Sequence, residues 1–158
     1  MAELLIMRHA KSSWDMPSLA DHDRPLNGRG RRAAPKMGEL LAAEDLLPDA
    51  VLCSSACRTM QTWDLLSTAA GCDVRPRFRE EIYLADGGDL LKQLHAIPSR
   101  SERGMIIGHN PSMEELVAML TGRRVRMPTA SLVLVQTDGR WESIRSGRFV
   151  RQWKVKEL

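Results

Sequence analysis

The order of apolar and amphipathic segments predicts an α/β fold, a three-layer α/β/α sandwich with a mainly parallel sheet. Short apolar runs at 3–7, 50–53 and 104–107 have the character of buried strands, and each is followed by a segment with helical periodicity. This alternation favours parallel strands joined by crossover helices. The 158 residues contain no internal repeat and no low-complexity linker, so we expect one domain over 1–158.

Helix signals follow each of these strands. Asn27 is suited to cap the first helix, in which Pro35 should introduce a kink or delay the start. Ser54 and Ser55 are expected to cap the second helix, which has Met60 on its apolar face. The predicted helices extend from the cap at 27 to about 43, and over 56–69, 89–96 and 111–121.

The last part of the chain predicts antiparallel pairing at one edge of the sheet. Polar and apolar residues alternate over 131–136, an Asp138-Gly139 turn follows, and 141–145 has strand character. These features predict a closing hairpin. Earlier in the chain, 75–78 is expected to be a short strand, followed by a loop over 79–88.

Composition narrows the possible partners. The formal net charge is +3, and hydrophobic residues make up 43%, an ordinary balance for a globular protein. Six Arg or Lys residues lie between Arg140 and Leu158, and we favour a solvated face there over a docking site for an acidic partner or nucleic acid. Aromatic residues, at 4%, are too sparse for a base-stacking platform, so the sequence does not favour a nucleic-acid partner.

The cysteines indicate a reducing compartment. Cys53, Cys57 and Cys72 are odd in number, and no secretory leader is evident, which predicts a cytoplasmic protein. No apolar stretch is long enough to span a membrane, so we expect no membrane partner. Cys53 and Cys57 would make half of a zinc site, but no second pair is suitably spaced, and core packing is the preferred interpretation.

Two of the predicted strands end at a histidine. His9 follows the first strand, directly after Arg8, and His109 follows the strand at 104–107. Arg58 lies one turn into the helix after the second strand. Carboxyl ends of parallel strands meet at one edge of a sheet, so these side chains should gather there. Guanidinium groups and a helix amino terminus both bind phosphoryl groups, which makes a phosphoryl group the expected ligand.

Two histidines in such a pocket suggest different tasks. A neutral imidazole can attack phosphorus, and nearby arginines favour its neutral form by opposing protonation. A second, protonated imidazole can stabilise charge on the phosphoryl oxygens. No carboxylate lies within three residues of His9 or His109, which argues against a metal site.

Three ordered motifs resemble those of the histidine phosphatase superfamily, which has the phosphoglycerate-mutase-like fold. They are the segments 8–10, 54–62 and 108–110. The short chain, together with 8–12 and 23–26, looks most like the small branch typified by the phosphohistidine phosphatase SixA. The resemblance implies that His9 is the nucleophile that becomes phosphorylated. It also implies no metal and no organic cofactor. The residues implied to hold the phosphoryl group are Arg8, Arg58 and His109, with Arg24 as a further contact.

Two positions depart from the family pattern. Ala10 replaces the usual glycine after the first histidine. The acid-phosphatase branch has an aspartate after its second histidine, where this chain has Asn110. The mutase branch uses a glutamate from the middle of the chain, a region that contains Glu80 and Glu81, and we assign the general acid to Glu81. A phosphorylated imidazole is a better leaving group than an alkyl phosphate, so it depends less on such an acid.

The sequence thus predicts a cytoplasmic phosphatase that forms a phosphohistidine intermediate on His9 and releases inorganic phosphate. The expected substrate is a phosphoprotein, with phosphohistidine on a signalling protein favoured over a small phosphate ester. A small-molecule phosphomonoesterase or phosphomutase would use the same nucleophile. A non-catalytic phosphate-binding module and a basic nucleic-acid binder are further alternatives. His22 lies between two aspartates, and we favour a solvated loop there over a metal site, with a position near the mouth of the pocket as an intermediate alternative.

Overall fold

A six-stranded sheet forms the middle layer of the computed structural model, which describes residues 2–158. The strands are β1 (Glu3–Arg8), β2 (Ala50–Ser54), β3 (Arg77–Arg79), β4 (Arg103–Gly108), β5 (Leu132–Thr137) and β6 (Gly147–Trp153). They stand in the order β3-β2-β4-β1-β5-β6. The first four are parallel, whereas β5 is antiparallel to β1 and β6 is antiparallel to β5. The predicted mainly parallel sheet is therefore confirmed.

Helices cover both faces of this sheet and complete the predicted three layers. They are α1 (Gly28–Ala43), α2 (Cys57–Ala70), α3 (Glu80–Tyr83), α4 (Gly87–Leu94) and α5 (Ser112–Thr121). In β1, Leu5 and Met7 pack with residues of α1 and α2, whereas Leu4 and Ile6 pack with residues of α3, α4 and α5. All four side chains are fully buried, which explains the continuous apolar run at the start of the sequence.

The start of α1 agrees with its sequence signal. The Asn27 side chain accepts a hydrogen bond from the backbone N–H of Gly30 at 2.9 Å, as expected of an N-cap. Pro35 lies inside the helix, which begins directly after Asn27, so the start is not delayed and the alternative of a kink at Pro35 stays a prediction. Gly30 and Gly38 allow α1 to approach its neighbours, because a Cβ atom would lie 2.1 Å from the Lys11 carbonyl oxygen and 2.2 Å from that of Leu66, respectively.

The predicted caps of α2 are wrong. Its N-cap is Ala56, which makes no side-chain capping bond. Ser54 accepts a hydrogen bond from the Ala56 N–H at 3.2 Å, but its hydroxyl also contacts His109, at the edge of the sheet. Met60, predicted on the apolar face, is 39% exposed, whereas Trp63 is buried there.

The closing hairpin differs from its prediction. Gly139 adopts a φ of 82°, so a turn does form where Asp138-Gly139 predicts one. Trp141 is then drawn into the core, where its indole N–H donates to the Ser101 carbonyl oxygen at 2.8 Å. The chain forms a short 3₁₀ helix at Trp141–Ser143, and the second strand begins only at Gly147. Burial of one large aromatic side chain thus overrides the local strand pattern of 141–145.

Two further details concern the middle of the chain. The segment predicted as a loop over 79–88 contains α3 and the start of α4, whose N-cap Asp86 forms a capping box with Asp89. The short strand expected at 75–78 is observed at 77–79. Within residues 2–158, no helix combines the length and apolar character needed to cross a membrane.

Candidate active site

The carboxyl ends of β1, β2 and β4 meet at one edge of the sheet and bring the predicted site residues together. Arg8 at the end of β1 is in register with Gly108 at the end of β4. The backbone N–H of His9 donates to the Gly108 carbonyl oxygen at 3.1 Å, and the ring centroids of His9 and His109 are 5.2 Å apart. The two imidazoles are therefore neighbours although a hundred residues separate them.

The ring of His9 is fixed in one tautomer. Its Nδ1 atom lies 2.6 Å from the carbonyl oxygen of Ala10, which can only accept, so Nδ1 carries the proton and donates it there. Thr62 holds this turn, because its hydroxyl oxygen accepts from the Ala10 N–H at 3.0 Å. Burial, together with the charges of Arg58 and Arg8, lowers the pKa of His9 to about 3. At neutral pH the lone pair on Nε2 is therefore available for attack.

His109 is oriented by a hydroxyl. Its Nε2 atom lies 2.8 Å from Ser54 Oγ, which already accepts from the Ala56 N–H. Because Ser54 Oγ keeps a second lone pair and a proton, this bond can run in either direction, and when the hydroxyl donates to Nε2 the ring proton lies on Nδ1. Burial, with the neighbouring His9 and Arg58, lowers the pKa of His109 to about 3. The ring of His109 is therefore neutral at neutral pH, and its protonation during the reaction stays a prediction. Its Nδ1 atom is buried and has no hydrogen-bond partner among residues 2–158.

Two arginines supply the positive charge of the site. Arg8 donates from Nη1 to the Met127 carbonyl oxygen at 3.0 Å. Arg58, 5% exposed, uses both terminal nitrogens on Asp21, at 2.7 Å to its carbonyl oxygen and 3.0 Å to its carboxylate. The Nε–H groups of both arginines are buried and have no hydrogen-bond partner among residues 2–158. With the His109 proton on Nδ1, the site contains three such N–H donors, a set suited to an anion.

Asp21 organises these groups, although the sequence did not predict a role for it. Its carboxylate accepts from Arg58, from Arg24 at 3.1 Å, and from the Tyr83 hydroxyl at 2.7 Å. The Tyr83 hydrogen bond, followed by that of Arg58, lowers the pKa of Asp21 to about 2. The interpretation of 21–23 as a purely solvated loop is therefore wrong for Asp21, and also for His22, whose Nε2 lies 2.9 Å from Ser55 Oγ. The only signal in the sequence was the i, i+3 spacing of Asp21 and Arg24.

Arg24 lies at the site, but its guanidinium group already donates to other residues of the protein. It is 7% exposed and donates from Nη1 to Ser12 Oγ at 2.9 Å and to the Ser13 carbonyl oxygen at 3.0 Å. Its remaining nitrogens contact Asp21. Arg24 thus holds the loop that positions Arg58, and a direct contact with phosphate stays a prediction.

The candidate general acid lies apart from these groups. The Glu81 side chain is 63% exposed and its carboxylate is 3.9 Å from Arg79. No hydrogen bond or ion pair among residues 2–158 joins it to His9 or His109, so its assignment stays a prediction. Asn110 cannot replace it in this geometry, because its amide nitrogen donates to Glu114 at 3.0 Å and to the Met127 carbonyl oxygen at 2.9 Å.

The arrangement provides a neutral nucleophile, an adjacent set of anion-binding donors and two buried guanidinium groups. Among the described residues, no group of three or more His, Cys, Asp or Glu side chains is placed to hold a metal ion. A fold of this topology with this set of groups at the carboxyl edge of its sheet is suited to binding and transferring a phosphoryl group.

Comparison with known proteins agrees. Residues 4–88 match the model of the histidine phosphatase superfamily, branch 1. An uncharacterized chloroplastic protein of Arabidopsis thaliana is 34% identical over 98% of this chain and 76% of its own length. A crystal structure assigned as the phosphohistidine phosphatase SixA of Agrobacterium tumefaciens has a TM-score of 0.85 and 26% identity, covering 97% of each chain. The protein histidine phosphatase SixA complexed with tungstate has a TM-score of 0.87 and 24% identity, covering 98% of each.

The chain belongs to the histidine phosphatase superfamily, and within it to the SixA-type branch. The family match contains Arg8, His9 and Arg58. His109 lies beyond it and is joined to the same site by the pairing of β1 with β4.

Proposed function

We propose that this protein removes the phosphoryl group from phosphohistidine on a signalling protein, through a phosphohistidine intermediate on His9. The observation that carries the proposal is the bond from His9 Nδ1–H to the Ala10 carbonyl oxygen, which leaves a neutral Nε2 beside three unpartnered N–H donors. A nucleophile needs a free lone pair, and a phosphoryl group needs donors for its oxygens. The site supplies both.

The reaction then has two steps. In the first, the His9 Nε2 lone pair forms a bond to phosphorus while the bond from phosphorus to the substrate imidazole breaks. The departing imidazole keeps the electron pair and takes a proton from solvent. In the second, water attacks phosphorus, the bond to Nε2 breaks, and a proton passes to solvent as inorganic phosphate leaves. Arg8, Arg58 and His109 hold the phosphoryl oxygens in both steps. Their charges and dipoles stabilise the transition state, so the proposed reaction needs no metal and no organic cofactor.

Features around the pocket support a protein as substrate. In the loop between β1 and α1, Trp14 is 71% exposed and Met16 is 49% exposed. The guanidinium carbon of Arg24 lies 3.5 Å from the centroid of the Trp14 ring, so this exposed indole is held close to the site. Exposed apolar side chains of this kind commonly contact a macromolecular partner. The free thiols of all three cysteines support a cytoplasmic location.

The test is to incubate the protein with a radiolabelled phosphodonor such as phosphoramidate and to recover the labelled protein. We expect one label per chain, stable to base and lost in acid, as a phosphorylated imidazole requires. The label should be absent in His9→Ala and present in the matched variant His95→Ala, because His95 lies at the end of α4 outside the site. A chelator should leave both the label and turnover unchanged.

Two results would contradict the proposal. Acid-stable label would indicate phosphorylation of a hydroxyl group rather than of His9, and label lost in base as well as in acid would indicate a carboxyl group. Label that is returned only to a sugar-phosphate acceptor, without steady release of inorganic phosphate, would indicate a phosphomutase.

A further inference from the structure

A second concave surface, lined by cations, adjoins the candidate active site. The cavity has a volume of about 510 Å³, and its lining combines the start of α1, the segment before β5 and the end of the chain. We name it the cationic basin and define it by six basic residues, Lys11, Arg29, Arg32, Lys36, Lys154 and Lys156. It therefore accounts for part of the positive charge at the end of the sequence, which the catalytic site does not use.

The charge of the cationic basin is not neutralised by the protein. None of the six side chains forms an ion pair or a hydrogen bond with another part of residues 2–158, and no Asp or Glu side chain lines the cavity. Five of them are exposed and Lys154 is half-buried. Cations gathered from three separate segments without partners produce a local positive potential, which attracts anionic groups.

The cationic basin is connected to the active site by two short stretches of chain. Lys11 is two residues after His9, so their Cα atoms are at most about 7 Å apart. Thr129 lines the cavity, and the next residue, Ala130, donates its N–H to the His9 carbonyl oxygen at 2.8 Å. When the phosphoryl group of a protein substrate lies at His9, the substrate residues next to the phosphorylated residue are thus close to the basin.

The shape of the cationic basin favours an extended ligand over a single anion. Arg29, Arg32 and Lys36 follow one face of α1, and the helical rise spreads them over about 10 Å. Acidic residues at alternate positions of an extended peptide are about 7 Å apart and can span such a row. No aromatic side chain lines the cavity, so it lacks the stacking surface that single-stranded nucleic acids use.

We infer that the cationic basin binds an acidic segment that flanks the phosphorylated residue of the protein substrate. This inference rests on the proposed function for the substrate itself, but the basin is a separate site with separate residues. The ionic contacts would increase the selectivity for the substrate and its association rate. They would not change the chemical step, because none of the six cations belongs to the set around His9.

The test compares two phosphohistidine peptides of equal length, one with aspartates flanking the phosphorylated residue and one with serines. We expect the wild-type protein to show a kcat/KM at least about ten-fold higher for the acidic peptide at low ionic strength, and the preference to shrink as salt is added. Arg32→Glu/Lys36→Glu should abolish the preference. The control Lys92→Glu/Arg100→Glu changes the net charge equally at exposed positions in and after α4, on the opposite face of the sheet, and should keep it.

Two further measurements separate the basin from the chemistry. Turnover of phosphoramidate should be unchanged in both double variants, since it needs only the pocket at His9. Binding of the unphosphorylated acidic peptide, followed by fluorescence anisotropy, tests the basin even if no phosphohistidine is cleaved. The inference is overturned by equal kcat/KM values for the two peptides, by a preference that survives Arg32→Glu/Lys36→Glu, or by binding of an RNA oligonucleotide where the acidic peptide does not bind.

Discussion

At the scale of single residues, the two histidines are alike in burial and differ in their partners. The Nδ1–H of His9 donates to a carbonyl oxygen, whereas Nε2 of His109 lies 2.8 Å from the hydroxyl oxygen of Ser54. With the pKa of each lowered to about 3, neither ring carries charge at neutral pH. In the proposed mechanism, the positive charge that faces the phosphoryl group therefore comes from the guanidinium groups of Arg8 and Arg58.

A prediction at this scale concerns Glu81. If phosphohistidine is the substrate, its imidazole leaves without an acid from the protein, so Glu81→Gln should reduce kcat less than about three-fold on a phosphohistidine peptide. Wild-type kcat/KM on a phosphoserine peptide should be lower by on the order of a hundred-fold or more, because an alkoxide leaving group needs a proton donor. Steady-state release of inorganic phosphate measures both.

The matched control is Glu80→Gln, which changes the neighbouring carboxylate of α3. Cleavage of phosphoserine as fast as phosphohistidine, together with an inactive Glu81→Gln on both substrates, would contradict this prediction. That pair of results would establish Glu81 as the general acid of an ordinary phosphomonoesterase.

The residues that were predicted from the sequence share one property. Arg8, His9 and His109 directly follow or end buried strands, and Arg58 begins a helix after another, so local pattern places them. Asp21 and Tyr83 could not be found in this way. They meet across 62 positions of sequence through loops whose course depends on the folded core.

At the scale of elements, α1 fixes the turn that carries His9 and Ala10. Gly30 packs against the backbone of Lys11 at a distance that only a missing side chain permits. Gly30→Ala should therefore push α1 away from this turn, lowering the free energy of unfolding by more than about 2 kcal/mol and reducing kcat/KM. Urea unfolding and phosphoramidate turnover measure the two effects.

Gly28→Ala is the control for this substitution, in the same helix. A Cβ atom there would meet only the flexible end of Arg32, at 3.2 Å, so stability and turnover should change little. Equal stability of the two variants would contradict the assigned role of Gly30.

Elements formed by strong periodicity were predictable, and those fixed by a single distant contact were not. The cap at Asn27 and the strands β1, β2 and β4 follow from local pattern alone. The position of β6 depends on the burial of Trp141 beside Ser101, forty residues away, which no local pattern encodes.

At the scale of the whole molecule, the buried histidines couple stability to pH. The pKa values of both histidines in the folded protein, about 3, lie below the ordinary value of 6.5. Between these two pH values the unfolded chain therefore binds more protons than the folded chain. Stability is complete above pH 6.5 and is lost as the pH falls from 6.5 toward 3. Each histidine contributes a slope of at most about 1.4 kcal/mol per pH unit. Asp21, with a pKa of about 2 against 3.8, adds a further loss between those values.

Urea midpoints at pH 7, 5 and 4 measure this slope. His9→Asn/His109→Gln should flatten it between pH 6.5 and 4, whereas His95→Gln should leave it unchanged. A slope that persists in the double variant would assign the acid sensitivity to other groups.

The position of β1 has a consequence for hydrogen exchange. This strand is paired on both sides, with β4 and β5, and its central residues are fully buried between two helical layers. Backbone amides in such a strand exchange with solvent only when the entire domain opens. Arg8 and His9 are therefore attached to the slowest-exchanging part of the molecule, while Asp21 and Tyr83 belong to segments that can open locally. We therefore expect His9 to keep its position when segments outside the sheet open locally.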